Sequence, residues 1–342
     1  MSTEYPQTQR SQTIINNQRE LLKVENLQVK FFTRQFTITA VDGVSFSIGE
    51  RETLGLVGES GSGKSVTCRS IIRLVQRPGK IVGGSITYDN QNILELSDRE
   101  LNNIRGKEIS MIFQDPMTAL NPVLRIRDQI IETLEEDGQT SRQDNIQSAI
   151  TLMKMVGIPI PERRLKEYPH QFSGGMRQRV MIATALSRKP RLLLADEPTT
   201  AVDVTIQDQV LKLLLHLQHE FGMSLLLVTH DLGIVAQTCD RVAVMYAGRI
   251  MEMTDTVSLF KNPHHPYTMG LMNSVPTVKA ARHRLIPIPG MPPDMSNLPL
   301  GCRFHPRCRF ASVECTSGDF QLRNVGKEHL SACIKDDLDY LI

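Results

Sequence analysis

The sequence predicts an α/β fold. A β-rich part carries a ligand-binding sheet edge, a helical block is inserted, and a C-terminal extension holds four cysteines. Three observations predict it. Gly58-Glu59-Ser60-Gly61-Ser62-Gly63-Lys64-Ser65 reads G-x-x-x-x-G-K-S, between an apolar run, Thr53 to Val57, and the helix-like spacing of Val66 to Leu74. That strand–loop–helix context is what a phosphate-binding loop requires. Arg191 to Ala195 is a short apolar strand ending in Asp196-Glu197. A parallel strand delivers such C-terminal side chains to the ligand edge of its sheet. Residues from about 125 to 168 change texture to a helical pattern, broken near Gly157 to Pro161.

Taken in order, residues 1 to about 20 are polar and offer little to bury, so they read as a disordered tail. Leu21 to Phe32, Val41 to Ile48 and Glu50 to Val57 read as strands. Phe31 could stack on a base or be an ordinary core or edge-strand ring, and Phe32 competes for the stacking role. In the phosphate loop the glycines let backbone N–H groups converge on phosphate oxygens, and the helix start adds its positive dipole end. Lys64 would reach the β- and γ-phosphates and Ser65 would ligate Mg²⁺. Pro78 to Gly84 reads as a turn before a strand, Ser85 to Tyr88; Ser97 and Glu100 form a capping box at a helix start. Ile109 to Phe113 is a buried strand with Gln114 at its end, followed by a proline-containing loop from Asp115 to Val123.

Ser173 is an N-cap, and Gly174 and Gly175 leave backbone N–H groups free for an anion ahead of the helix Val180 to Leu186. Asp196 would be a second Mg²⁺ ligand, directly or through water, and Glu197 would orient or deprotonate an attacking water. Thr205 to Phe221 is a helix, and Ser224 to Thr229 is a strand ending at His230, which could hydrogen-bond a γ-phosphate. Arg241 to Met245 and Arg249 to Met253 form a hairpin around Ala247-Gly248. The phosphate loop occurs once, so there is no internal repeat.

The 342 residues suffice for one large domain and an appendage, and 40% hydrophobic with 22% charged residues is ordinary globular composition. A net charge of +2 leaves no broad nucleic-acid footprint. No run of 18 apolar residues is present, and the N-terminus lacks the apolar stretch of a signal peptide, so a cytosolic chain is expected. There clustered cysteines suggest metal rather than disulfides. Cys302, Cys308, Cys315 and Cys333 are separated by five, six and seventeen residues, unlike the paired C-x-x-C spacing of common zinc folds. Four thiolates could hold an iron–sulfur cluster, zinc is an alternative, and free structural thiols are a third reading. Prolines and glycines from Pro287 to Gly301 suggest an irregular extension with a thin core. Cys68 and Cys239 are expected to be packing residues.

The phosphate loop, Gln114, Ser173 to Gln178, Leu194 to Glu197, Ala201-Val202-Asp203 and His230 come in the order of an ABC-transporter ATPase subunit. The chain resembles that family from Leu21 to Ile342, and within it the peptide-importer branch. The branch features are Phe113 to Thr118, Asn121-Pro122, Tyr168-Pro169-His170, Gly175 to Ala183, His265 to Thr268 and Gly301 to Cys308. Phe172 and Met176 depart from the general superfamily pattern but fit this branch, and Val202 replaces a common Leu.

The resemblance implies a P-loop NTPase of ABC type. Its ATPase domain would span 21–268 with a helical subdomain at about 115–185, and the extension would span 269–342. It implies that Gln114 senses Mg²⁺ and the attacking water and links the site to a membrane subunit through Asp115 to Pro122. Ser173 to Gly175 would cap the γ-phosphate of ATP bound to the other subunit. Asp203 would join the two sites, and His230 would be the switch histidine. The implied partners are a sister ATPase in a heterodimer, two permeases and an external solute-binding protein, with a homodimer open and no nucleic acid. The implied place is the cytoplasmic face of the membrane, as a peripheral subunit. The implied cargo is oligopeptides or dipeptides, with nickel, opines and related solutes as alternatives, and a soluble non-transport ABC ATPase as a more distant reading. In this branch the four-cysteine pattern is associated with a [4Fe–4S] cluster.

Overall fold

The computed structural model describes residues 19–115, 119–135, 141–199, 204–274 and 287–335. The N-terminal tail up to residue 18, Pro116 to Thr118 and the expected dimer-loop residue Asp203 lie outside them.

Two sheets stack on one another. Glu20–Phe32 (β1) pairs antiparallel with Thr37–Gly49 (β2) and with Gly79–Tyr88 (β4), and Gln91–Asn92 (β5) completes a sheet ordered β2-β1-β4-β5. The second sheet uses Thr53–Val57 (β3), Ile109–Ile112 (β6), Leu192–Asp196 (β7), Ser224–Thr229 (β8), Arg241–Tyr246 (β9) and Arg249–Asp255 (β10). Arg323–Gly326 (β11) and His329–Ser331 (β12) complete it, in the order β11-β12-β10-β9-β3-β8-β7-β6. Strands β9, β3, β8, β7 and β6 run parallel, and β10 turns back on β9 antiparallel.

The parallel strands are buried on both faces, so they read as continuous apolar runs rather than alternating ones. Period two still sorts their side chains. Leu192 and Leu194 of β7 face a core shared with Val24, Phe46 and Tyr88 of the antiparallel sheet. Leu193 and Ala195 face the opposite core, with Ile130, Met153 and Ile182 of the helical block. That block is Ile126–Glu135 (α3), Arg142–Met155 (α4), Pro161–Arg164 (α5) and Gly174–Leu186 (α6); Lys64–Ile71 (α1) and Asp98–Ile104 (α2) precede it in the chain. The expected capping box opens α2: Ser97 Oγ accepts from Glu100 N–H at 3.4 Å, and Glu100 Oε2 accepts from Ser97 N–H at 2.9 Å.

One expectation needs correction. Pro78 to Gly84 is not a turn, because β4 already begins at Gly79 and pairs with the whole length of β1 down to Phe31. The glycines that suggested a turn mark a bulge instead: Gly84 has φ +89, and a Cβ there would lie 2.5 Å from Asn26 O. The helix that Ser173 was expected to cap begins directly after it, at Gly174, and runs through Leu186. Val204–Phe221 (α7) closely matches its expectation, whereas Leu232–Thr238 (α8), Thr256–Lys261 (α9) and Pro266–Asn273 (α10) are additional short helices.

The C-terminal extension is joined to the main sheet. Strand β12 pairs with β10, Glu252 opposite Ser331 and Met253 opposite Leu330. Phe304 is buried in a third core with Val57, Val244, Tyr246 and Tyr267. Losing a buried Phe side chain costs about 3–5 kcal/mol, so this small extension draws much of its order from the body it rests on.

Candidate nucleotide-binding site

Sheet order assembles the site. Because β3, β8, β7 and β6 are adjacent and parallel, the residues that follow them arrive at one edge. These are the 58–65 loop, His230, Asp196-Glu197 and Gln114.

Two loop positions can only be glycine. A Cβ on Gly58 would lie 2.0 Å from Met245 O, and one on Gly63, at φ +105, would lie 2.4 Å from Ala40 O. Ser60 and Gly61 are exposed, and Ser62 is buried. Lys64 opens α1, and its buried side chain folds back over the loop. Its Nζ donates to Gly58 O and Glu59 O, both at 2.8 Å, and to Ser62 Oγ at 3.4 Å. Burial pulls the Lys64 ammonium below its usual pKa, against the opposing pull of Glu197, Asp196 and Glu59.

Ser65 Oγ donates to Asp196 Oδ1 at 2.7 Å. Asp196 is fully buried; its Oδ2 accepts no hydrogen bond among the described residues and lies 3.9 Å from the Arg69 guanidinium. Burial pushes the Asp196 carboxyl up, opposed by the Ser65 hydroxyl and by Arg69. A buried carboxylate oxygen without a hydrogen, beside a hydroxyl, is a hard-oxygen donor pair that suits Mg²⁺.

Glu197 stands between two neighbours. Gln114 Nε2 donates to its Oε2 at 2.9 Å, and His230 Nδ1 lies 3.7 Å from its Oε1. Its backbone has φ +47, in the left-handed region that non-glycine residues avoid. The N–H of Glu197 donates to Val228 O at 3.0 Å, which holds that conformation. Strain of this kind gathers at functional sites.

The remaining expected residues are more dispersed. Ser173 Oγ accepts from Met176 N–H at 3.4 Å, so it is the N-cap of α6. Ser173 and Gly174 are exposed and Gly175 is half-buried. Among the described residues none of them hydrogen-bonds to the phosphate loop of this chain. Gln178, on the same helix, donates to Pro198 O and ties α6 to the end of β7. Phe31 is half-buried and packs on the core beside Gly79, whereas Phe32 is 45% exposed under Lys80.

Sequence reasoning missed the contacts that reach the loop from the C-terminal part. Tyr267 Oη accepts from Glu59 N–H at 2.8 Å, and Arg307 grips the Glu59 carboxylate. Arg307 lies inside the quoted segment Gly301 to Cys308, but nothing in the sequence names its partner. Cys302, Cys308, Cys315 and Cys333 are free thiols lining one pocket with Pro266, Phe304 and Phe310. Burial raises Cys308 to about 11 and pushes Cys302 and Cys333 up as well. Among the described residues no group of three or more His, Cys, Asp or Glu side chains is placed to hold a metal ion, so the geometry does not close on a cluster. Cys68 is buried in the core below the loop, and Cys239 packs against the α8 and β3 region, as expected of packing thiols.

A family profile described as ABC transporter matches residues 41–200, and one described as oligopeptide/dipeptide transporter, C-terminal region, matches residues 251–315. The chain is 47% identical over 315 residues to the oligopeptide transport ATP-binding protein OppD of Escherichia coli (strain K12), covering 92% of this chain and 93% of that one. It is 51% identical over 296 residues to the oligopeptide transport ATP-binding protein AppD of Bacillus subtilis (strain 168), covering 86% and 90%. It is 50% identical over 297 residues to the dipeptide transport ATP-binding protein DppD of the same organism, covering 86% and 89%. Among solved structures, a dimeric ATP-binding cassette in a post-hydrolysis state with ADP and Pi superposes with a TM-score of 0.63 at 30% identity, over 69% of this chain and 99% of that one. Likeness of this degree along nearly the whole chain settles its kinship: it belongs to the ATP-binding proteins of ABC transporters, in their oligopeptide/dipeptide branch.

Proposed function

We propose that the chain is the ATP-hydrolysing subunit of an importer that carries oligopeptides or dipeptides across the cytoplasmic membrane. The observation that carries the reading is Glu197, held between Gln114 and His230 at the sheet edge where Ser65 and Asp196 meet. The match of residues 251–315 to the peptide-transporter C-terminal region supports the cargo class.

Phosphoryl transfer to water is mainly positioning and charge stabilisation. Lys64 exchanges the carbonyls of Gly58 and Glu59 for β- and γ-phosphate oxygens, while the backbone N–H groups from Ser60 to Ser65, beyond the Glu59 N–H that Tyr267 holds, surround the phosphates. Ser65 and Asp196 would hold Mg²⁺, which would supply charge neutralisation on the phosphates. Glu197 accepts a proton from the attacking water. The water oxygen bonds to the γ-phosphorus, the bond to the β–γ bridging oxygen breaks, and ADP leaves with that electron pair. Gln114 orients Glu197 and the water, and His230 donates to a γ-phosphate oxygen. The ring to stack on the adenine base would be Phe31, with the more exposed Phe32 as its competitor.

The exposed Ser173 and Gly174, with Gly175, supply N–H groups to ATP held by a second ATPase subunit, and Asp203 links the two sites. ATP therefore joins two subunits, and its hydrolysis separates them. The second subunit is a sister ATPase. Two permeases and an external solute-binding protein complete the transporter, and this chain sits peripherally on the cytoplasmic face. No helix among the described residues is long and apolar enough to cross a membrane. Domain limits of 21–268 and 269–342 fit this division of labour.

Loss of the chain from its cell is expected to abolish energy-dependent uptake of labelled di- and oligopeptides and to leave free amino acid uptake intact. Intact peptide uptake with lost nickel or opine uptake would transfer the motor to that cargo.

An iron–sulfur cluster at Cys302, Cys308, Cys315 and Cys333 is the finer part of the proposal, supported by four free thiols around one pocket. Protein purified without oxygen is expected to be brown and to contain iron and acid-labile sulfide. A colourless chain carrying zinc, or no metal, would remove the cluster from the reading.

A further inference from the structure

The phosphate loop must attract a polyanion, yet its second residue, Glu59, is an acid. The Glu59 carboxylate is only 26% exposed, and it acts on Lys64 at the centre of the loop. Left alone, it would repel the phosphates and pull the Lys64 ammonium toward itself.

The C-terminal extension supplies the answer. Arg307 Nη1 donates to Glu59 Oε2 at 2.6 Å, and Nη2 donates to Oε1 at 3.0 Å, a two-pronged charge-assisted pair. The fork is itself held: Nε donates to Pro289 O at 2.9 Å, and Nη1 also reaches Tyr246 Oη at 3.3 Å. The guanidinium lies 5.8 Å from the centre of the Tyr246 ring, and its side chain is 5% exposed. From the same core Tyr267 accepts the Glu59 N–H, while Lys64 takes the Glu59 carbonyl. Every polar group of Glu59 is thus fixed, and its charge is cancelled from outside the loop.

We propose that Arg307 is a positioning residue for ATP binding: by pairing with Glu59 it neutralises the acid inside the phosphate loop and fixes the loop in its phosphate-ready shape. The C-terminal extension is then part of the nucleotide site, acting through Glu59 and never touching ATP. The inference rests on the reading of this loop as the ATP site.

The test is the dissociation constant of ATP with Mg²⁺ for the purified full-length chain, with circular dichroism to check folding. Arg307→Met keeps the length of the stem and removes the charge. It is expected to weaken ATP binding about five- to tenfold, the size of coupling found between directly contacting residues. In the assembled transporter the same change is expected to raise KM for ATP and leave kcat nearly unchanged. Adding Glu59→Gln to Arg307→Met is expected to restore most of the affinity, because the uncancelled charge is then gone. Arg307→Lys keeps a positive charge and is expected to fall between the two.

Unchanged affinity in Arg307→Met would overturn the proposal. So would a double variant as weak as Arg307→Met, since the loss would then come from packing of the extension. Arg307→Lys equal to Arg307→Met would refute the charge argument and keeps the test usable if the methionine variant folds poorly. Failure of the unaltered chain to bind ATP would instead overturn the reading of the loop, and this inference with it.

Discussion

Glu197→Gln should lower steady-state ATP turnover by about two to four orders of magnitude, the usual contribution of a positioned general base. Glutamine keeps the shape and can still accept from Gln114 Nε2 through its amide oxygen, so the 2.9 Å contact and the φ of +47 need not change. What it loses is the ability to take a proton. ATP affinity is therefore expected to survive, and the variant should accumulate as an ATP-bound dimer with its partner subunit. Phosphate release assays and size exclusion with ATP measure the two halves of this result. Turnover equal to that of the unaltered protein would remove Glu197 from the role of base and leave Asp196 or the Gln114 side to be considered.

Lys64→Ala is expected to weaken ATP binding by about 100-fold or more, because two hydrogen bonds from a charged donor contribute about 1.5–3 kcal/mol each. The cost has a second source in the nucleotide-free chain. The Lys64 ammonium accounts for the Gly58 and Glu59 carbonyls, so alanine also loosens the loop it leaves behind. Titration calorimetry with ATP and Mg²⁺ reads the affinity directly. An unchanged constant would refute the role given to Lys64. The two variants divide the site cleanly: one should bind without turning over, and the other should scarcely bind.

Much of this site was legible because its parts are local. The glycine spacing, Lys64 and Ser65 sit in one stretch, and an apolar run ending in two acids announces both β7 and its position at a sheet edge. Parallel strands buried on both faces leave strong apolar signals, which is why β3, β6, β7 and β8 were found. Strand β4 was partly misread because Gly83-Gly84 looks like a turn when its partner is unknown; pairing with β1 overrides local preference there. The left-handed backbone at Glu197 could not be read from residue type, since the contacts around it, such as the bond from its N–H to the Val228 carbonyl, come from across the sheet. The Arg307–Glu59 pair is separated by 248 positions, a distance at which a single sequence carries no pairing information. The four cysteines were expected to share a metal; they line one pocket, but among the described residues they do not converge into a metal-holding group, which spacing alone could not report.

Strand β12 has a consequence for anyone who would trim this chain. It covers the outer side of β10, in which Ile250 to Thr254 are all buried. A polypeptide cut before Arg323 would keep every residue of the catalytic edge and yet leave β10 as an edge strand with open hydrogen-bonding groups. Such a strand recruits other chains. Strands β11 and β12 therefore also blunt this edge of the sheet, a duty unrelated to nucleotide and one that a cassette without them would have to replace.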